Sequence, residues 1–197
     1  MNEPPSNSEI APQPTTRPRI SAVIITKNEA AHIEECLDSV AFCDERIVVD
    51  SGSSDSTLLL AKKKGARVAF HEWKGFGPQK NYAVSLAQGD WVLSIDADER
   101  VTPELAAEIC SVIQDTEANG FELKRLSTFC GTTIRHSGWS PDRVLRLFRR
   151  EAGRFSDDLV HERLIIDGRI GRLSGELLHH SMPVSYTHLT LPTKRIV

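Results

Sequence analysis

The chain has 197 residues, with 24 Lys or Arg against 27 Asp or Glu, for a formal net charge of −3. That length holds one domain of ordinary size, and the slight acidic excess argues against a general nucleic-acid binder, which carries a basic surplus. Hydrophobic residues make up 40% and charged residues 26%, the mix of a soluble globular protein, and apolar runs such as Ala22–Ile25 and Leu58–Ala61 are too short to span a bilayer.

Taken in chain order, residues 1–18 hold five of the ten prolines beside Ser, Asn, Gln and Thr. Such a stretch buries too little apolar area to offset the entropy of ordering it, and it lacks the apolar centre of a secretory signal. A disordered leader is expected there, followed by one domain over 19–183. Ile20–Thr26, Arg46–Asp50, Ala66–His71 and Trp91–Asp96 are short Val- and Ile-rich runs. Continuous apolar runs mark strands covered on both faces, as in a parallel sheet. Between them, Ile33, Cys36, Leu37 and Val40 follow a helical period. Ser54 or Asp55 is expected to cap the next helix, with Lys62–Lys64 in its last turn and Gly65 ending it. Gly77-Pro78 opens a third helix, which Gly89 closes. Thr102-Pro103 opens a fourth, with Leu105, Ile109, Val112 and Ile113 facing the core. From Phe121 onward the pattern turns to strand-like pieces, Phe121–Ser127, Val144–Phe148 and Leu164–Ile166. The expectation is an α/β fold with a mostly parallel sheet flanked by helices and a mixed or antiparallel edge.

The four cysteines, Cys36, Cys43, Cys110 and Cys130, have no CxxC spacing, which suits small buried thiols in a reduced chain. Val184–Val197 keeps neither helical nor strand period for long. One codon choice for Val184–Thr193 resembles the end-adapter of a sequencing library. Residues 184–197 are therefore expected to be an artefactual tail on a C-terminally truncated copy.

Polar residues gather where strands end: Thr26-Lys27-Asn28-Glu29, Asp50-Ser51-Gly52-Ser53-Ser54-Asp55, and Asp96-Ala97-Asp98-Glu99. Three strand ends, each supplying a carboxylate, face one crevice. That suits a ligand with hydroxyls and a metal-bound polyanion, because Mg²⁺ and Mn²⁺ take oxygen ligands and bridge to phosphates. Neither a Gly-x-x-x-x-Gly-Lys-Ser/Thr loop nor a Gly-x-Gly-x-x-Gly after the first strand is present, which disfavours P-loop and dinucleotide enzymes.

Four segments then carry a resemblance: AVIITKNEAAHIEECLDSV, RIVVDSGSSDST, GFGPQKNYA and GDWVLSIDADERVTPEL. In this order they resemble the inverting family 2 glycosyltransferases of GT-A fold, and within them the bacterial lipopolysaccharide-core β-1,4-glucosyltransferases, over about Ile20 to Ser181. The resemblance implies a UDP-linked sugar donor, a divalent metal (Mg²⁺ or Mn²⁺), a glycolipid or lipopolysaccharide-core acceptor, and a cytoplasmic location with peripheral contact at the inner membrane. Carried over, it places Thr26 and Glu29 at the nucleoside, Asp50 at the uracil edge, Lys80 at the base or phosphate, and Asp96 near the ribose or metal. Asp98 becomes the direct metal ligand, and His179 or His180 a late histidine near the metal. Inversion needs a carboxylate to take the acceptor proton; Glu162 is the candidate, with Asp158 in reserve. The Glu-Asp pair many members show at that place is absent. Arg143 and Arg146 are candidates for phosphate or an anionic acceptor. Together with Arg135, Arg149, Arg150 and Arg154 they are expected to form one cationic patch toward the membrane. Two other classes stay open, a nucleotidyltransferase and a non-catalytic nucleotide-sugar-binding module.

Overall fold

A computed structural model describes residues 17–129, 132–133, 142–157 and 162–180. The leader up to residue 16, Cys130, Arg135, His136, Asp158, and the tail from residue 181 lie outside them. The strands β1 (Ile20–Thr26), β2 (Glu45–Asp50), β3 (Arg67–Phe70) and β4 (Trp91–Asp96) form where the apolar runs stand. They alternate with α1 (Ile33–Ser39), α2 (Thr57–Lys63) and α3 (Phe76–Ser85). β5 (Glu99–Val101) and α4 (Pro103–Val112) follow. The second half is β6 (Gly120–Phe129), β7 (Thr132–Thr133), β8 (Asp142–Arg149), β9 (Gly153–Phe155), β10 (Leu164–Ile166) and β11 (Ile170–His180).

One sheet runs β3-β2-β1-β4-β8-β6-β11-β5, with β7 hanging on β6, while β9 and β10 form a separate ribbon. β3, β2, β1 and β4 are mutually parallel, β8 runs against both β4 and β6, and β5 runs against β11. The expected mixed edge therefore begins at β8.

The parallel half is apolar on both faces because both faces are covered. Ile20, Ala22 and Ile24 of β1 belong to one core with Ile33 and Leu37 of α1 and Leu105 and Ile109 of α4. Val23 faces the other, with Ile47, Val49, Ala83 of α3, Phe148 and Phe155. Ser21, in the same strand and fully buried, is satisfied: its hydroxyl donates to Glu45 Oε2 at 2.7 Å and accepts from the Gly89 amide at 2.8 Å.

Helix ends depart from expectation in small ways. α2 stops at Lys63, and Gly65 takes φ +76° as the αL stop. Its N-cap is Ser56 without a side-chain bond, because Asp55 spends Oδ1 on the Thr57 amide and hydroxyl. α3 starts one residue before Gly77, from Gly75 at φ +109°, and ends near Leu86 rather than at Gly89. Thr102 caps α4 by accepting from the Leu105 amide at 3.3 Å, worth about 1 kcal/mol. β5, β7, β9 and β11 were not anticipated; β5 and β9 are three residues each.

Candidate active site

The carboxyl ends of β1, β2 and β4 open onto a cleft of about 360 Å³, lined among others by Thr26, Glu29, Ser51, Trp73, Asp96 and Asp98. Its β1 and β2 rims are tied together loop to loop. Asn28 sits at φ +58°, its amide donates to Ser53 Oγ at 2.8 Å, and its side-chain oxygen accepts from the Ser54 amide at 2.8 Å. The Glu29 amide donates to Thr57 Oγ1 at 2.8 Å, and the Ala30 amide to Asp55 Oδ2 at 3.2 Å. Small side chains thus replace water as partners for loop backbone, which holds the rim in one shape.

Thr26 and Glu29 reach the cleft as expected. Thr26 is 6% exposed, and its Oγ1 has no hydrogen-bond partner among the described residues. A buried hydroxyl without a partner costs roughly 1–3 kcal/mol, a cost that a bound polar group would remove. Burial and then the charge of Asp98 push the Glu29 carboxyl above its ordinary range.

Asp50 behaves otherwise than expected. It is 2% exposed and folds into its own turn, where Oδ2 accepts from the Gly52 and Ser53 amides at 2.8 and 2.9 Å and Oδ1 from the Ser53 hydroxyl. A short carboxylate captures the amides two and three residues on. Asp50 therefore shapes the turn that presents Ser51 to the cleft.

Gln79, Lys80 and Asn81 reach in three directions. The Gln79 amide bonds to His71 twice, at the end of β3. The Asn81 amide donates to Phe155 O at 2.9 Å and accepts from Phe155 N at 2.8 Å, in the manner of a strand neighbour. Lys80, only 4% exposed, donates to Glu162 Oε1 at 2.8 Å and pairs with Asp96 Oδ1 at 3.2 Å. It is neither a solvated helix charge nor open to the cleft; it joins the base candidate to the β4 carboxylate. Nothing in the spacing links residues 80 and 162, so sequence reasoning missed the pair.

Asp96 is held from its other side by Arg146 Nη2, which also donates to Glu99 Oε1 at 2.8 Å. Burial alone would raise the Asp96 carboxyl, yet the Arg146 and Lys80 charges hold it far below the usual carboxylate range. Burial would likewise lower the Arg146 guanidinium, but Glu99 and Asp96 drive it well above its ordinary value. Arg146 is thus an internal counter-ion rather than a phosphate binder, and Asp96, with both oxygens taken, is a poor metal ligand in this arrangement. Of the arginines expected to form a cationic patch, Arg135 lies outside the described residues, Arg154 is exposed, and the others are engaged in the fold. Arg146 points inward, Arg149 lies 4.8 Å from the Trp91 ring and donates to Thr116 O, Arg150 donates to Gly89 O, and Arg143 donates to Leu173 O.

Asp98 stands apart from these ties. Its Oδ2 lies 3.2 Å from His179 Nε2, and its carbonyl accepts from the His180 amide at 2.9 Å. The hydrogen bond to Asp98 raises the His179 imidazole against the opposing effect of burial. Among the described residues no group of three or more His, Cys, Asp or Glu is gathered for a metal. The pair nonetheless fits Mg²⁺ or Mn²⁺, which commonly take one or two protein ligands and complete their shell with phosphate oxygens and water. Trp73 and Phe76, packed edge to face at 4.8 Å and each over 40% exposed, also line the cleft; their place after β3 gave no signal beyond two aromatics in a loop.

His71 stacks on Tyr82 at 4.1 Å and is bonded to Gln79. Among the described residues no helix is long and apolar enough to cross a membrane.

Comparison with known proteins bears on the family and the fold. An uncharacterized glycosyltransferase of Rickettsia typhi is 33% identical over 176 residues, 83% of this chain and 60% of its own length. The lipopolysaccharide core biosynthesis glycosyltransferase LpsC of Rhizobium meliloti is 32% identical over 173 residues, 81% of this chain and 62% of its own. The chain thus spans about three fifths of the length of these relatives. Among solved structures, glucosyl-3-phosphoglycerate synthase of Mycobacterium tuberculosis, in complex with Mn²⁺, UDP and glucosyl-3-phosphoglycerate, superposes with a TM-score of 0.58 at 22% identity. That match covers 84% of this chain and 73% of the other. The family model for glycosyl transferase family 2 matches residues 21–170, and the chain belongs to that family, with a GT-A fold.

Proposed function

We propose that this chain is the donor-binding and catalytic part of an inverting glycosyltransferase. It transfers a sugar, glucose on the resemblance to lipopolysaccharide-core enzymes, from a UDP-linked donor to a cell-envelope acceptor such as lipopolysaccharide core. The observation that carries the reading is the cleft itself. It is lined by the buried, unpartnered Thr26 hydroxyl and by Asp98, which pairs with His179. The UDP and Mn²⁺ held by the mycobacterial synthase and the name of the LpsC relative support donor, metal and acceptor class in turn.

In this mechanism Thr26 and Glu29 bind the nucleoside, and Ser51, presented by the Asp50 turn, lies beside it. Asp98 and His179 would hold the divalent cation, which supplies charge stabilisation to the departing diphosphate. Glu162 takes the acceptor hydroxyl proton as the hydroxyl attacks the anomeric carbon from the face opposite UDP. Lys80 orients that carboxylate through a hydrogen bond of 2.8 Å. Asp158, the reserve base, lies outside the described residues. A cytoplasmic enzyme meeting its acceptor at the inner membrane remains part of the proposal, with liposome flotation as its test.

UDP with Mn²⁺ should raise the melting temperature, by about 2.7 kcal/mol of stabilisation at ~100 times Kd. Asp98→Asn should remove the metal-dependent part. A UDP shift indifferent to EDTA in both proteins rejects the metal assignment. Glu162→Gln should lower transfer by roughly 10²–10⁴-fold with donor affinity kept; near-normal turnover hands the role to Asp158.

A further inference from the structure

The pairing of β4 with β8 stops at Leu93 and Leu147. β4 runs on to Asp96, still laddered to β1. β5 then begins at Glu99 and pairs with β11, four places further along the sheet order. Ala97 and Asp98 alone connect the two strands, so the sheet curls on itself at this point and a wedge opens between β4 and β8.

Arg146 fills the wedge. It precedes Leu147 in β8, on the side where pairing with β4 has ended, and it is 7% exposed. One terminal nitrogen, Nη2, donates to carboxylates at both ends of the connection, Asp96 and Glu99. Glu99 is fully buried, and its second carboxylate oxygen accepts from the Asp96 amide at 3.0 Å, closing a ring around the turn. Arg146 Nε has no hydrogen-bond partner among the described residues, so the guanidinium is oriented for these carboxylates at the expense of its own solvation. A well-packed apolar contact would close the wedge with less desolvation. What a bridging guanidinium adds is a fixed distance between the two ends of the turn.

We propose that Arg146 is a positioning residue for Asp98. By pinning Asp96 to Glu99 it sets the depth at which the Asp98 carboxylate, tied sideways to His179, meets a divalent cation. The inference rests on the reading of the cleft as a metal-dependent donor site. Arg146 touches neither donor nor metal in it.

Two variants of the full chain test this. Arg146→Lys keeps the charge on a shorter, point-like group. The pair Arg146→Met with Glu99→Gln removes both buried charges while keeping an acceptor for the Asp96 amide. Free Mn²⁺ is read from its electron paramagnetic resonance signal with UDP saturating, and UDP binding is measured separately in EDTA. The expected result is Mn²⁺ affinity weakened by about 10- to 100-fold, the range typical of losing a group that orients a metal ligand. UDP affinity in EDTA should stay within about twofold. Unchanged Mn²⁺ affinity in a variant that keeps its thermal transition overturns the proposal. Loss of that transition in both variants also overturns it, by assigning Arg146 to the fold alone. If the unaltered protein takes up no Mn²⁺ with UDP, the reading of the cleft fails first and this inference with it.

Discussion

At the ends of β1 and β2, the loops are joined by uncharged or singly charged hydrogen bonds among Asn28, Ser53, Ser54, Asp55 and Thr57, all within about thirty residues of one another. At the end of β4 the ties are ionic, buried and distant in sequence: Lys80 to Glu162, Lys80 and Arg146 to Asp96, Arg146 to Glu99. The first arrangement rigidifies a rim at modest cost, since each small side chain offers backbone what water would have offered. The second takes charges out of water, and its stability depends on every partner being present. A ligand that binds between them meets one wall set by local turn chemistry and one set by a long-range charge chain.

Removing Lys80 tests that contrast most strongly. Lys80→Met leaves Glu162 without its ammonium and Asp96 with one cation instead of two, and it should cost about 3 kcal/mol in urea denaturation. Adding Glu162→Gln should recover part of the loss. Strict additivity of the two changes would show that the pair is not coupled.

The same wall should carry a distinct acid response. Asp96 has a folded-state pKa well below its unfolded one, so its contribution to stability is complete above the unfolded value, near 3.9, and is lost as pH falls toward the folded value. Stability profiles of the unaltered protein and Asp96→Asn should therefore converge as pH drops below about 4. Parallel profiles through that range would remove the ionic account of this wall.

Gly77 brings α3 against the backbone just after β9. A methyl group there would lie 1.9 Å from the carbonyl oxygen of Ser156, where backbone meets backbone. Gly77→Ala should cost about 1–3 kcal/mol and loosen the contact between α3 and β9, read by hydrogen exchange at Phe155. Gly52→Ala, by contrast, meets open space and pays only for φ +103°. On the rim itself, Asn28→Gly keeps the left-handed backbone and loses one acceptor, for about 1 kcal/mol. Asn28→Ala adds conformational strain and should cost more than Asn28→Gly; the reverse order would mean that the backbone at Asn28 is not constrained as described.

How far the sequence disclosed these features follows from the same contrast. The four parallel strands were readable because burial on both faces leaves uninterrupted Val and Ile, and the helix limits because Gly65 and Thr102-Pro103 act through their own backbone. Thr26, Glu29 and Asp98 were readable as cleft residues because the end of a parallel strand is a place as well as a pattern. Asp50 was placed at the cleft for the same reason and went into its turn instead, since local amides compete for a short carboxylate. β5 is three residues long and carries Glu and Arg inward. A strand of that composition pairs because β11 and Arg146 complete it, and neither partner lies near it in sequence. The inward turn of Arg146 was hidden likewise: among neighbouring arginines nothing marks the one whose strand pairing ends beside it.

The connection of Ala97 and Asp98 has a mechanical side. These two residues form the turn between β4, in the middle of the sheet order, and β5, its last strand, which pairs with β11. Tension applied to β11 would reach Asp98 through the three-residue strand β5 before it reached the parallel strands. Strain at the β5 edge thus has a short covalent path to the Asp98 carboxylate, whereas strain at β3 must pass through three intervening ladders.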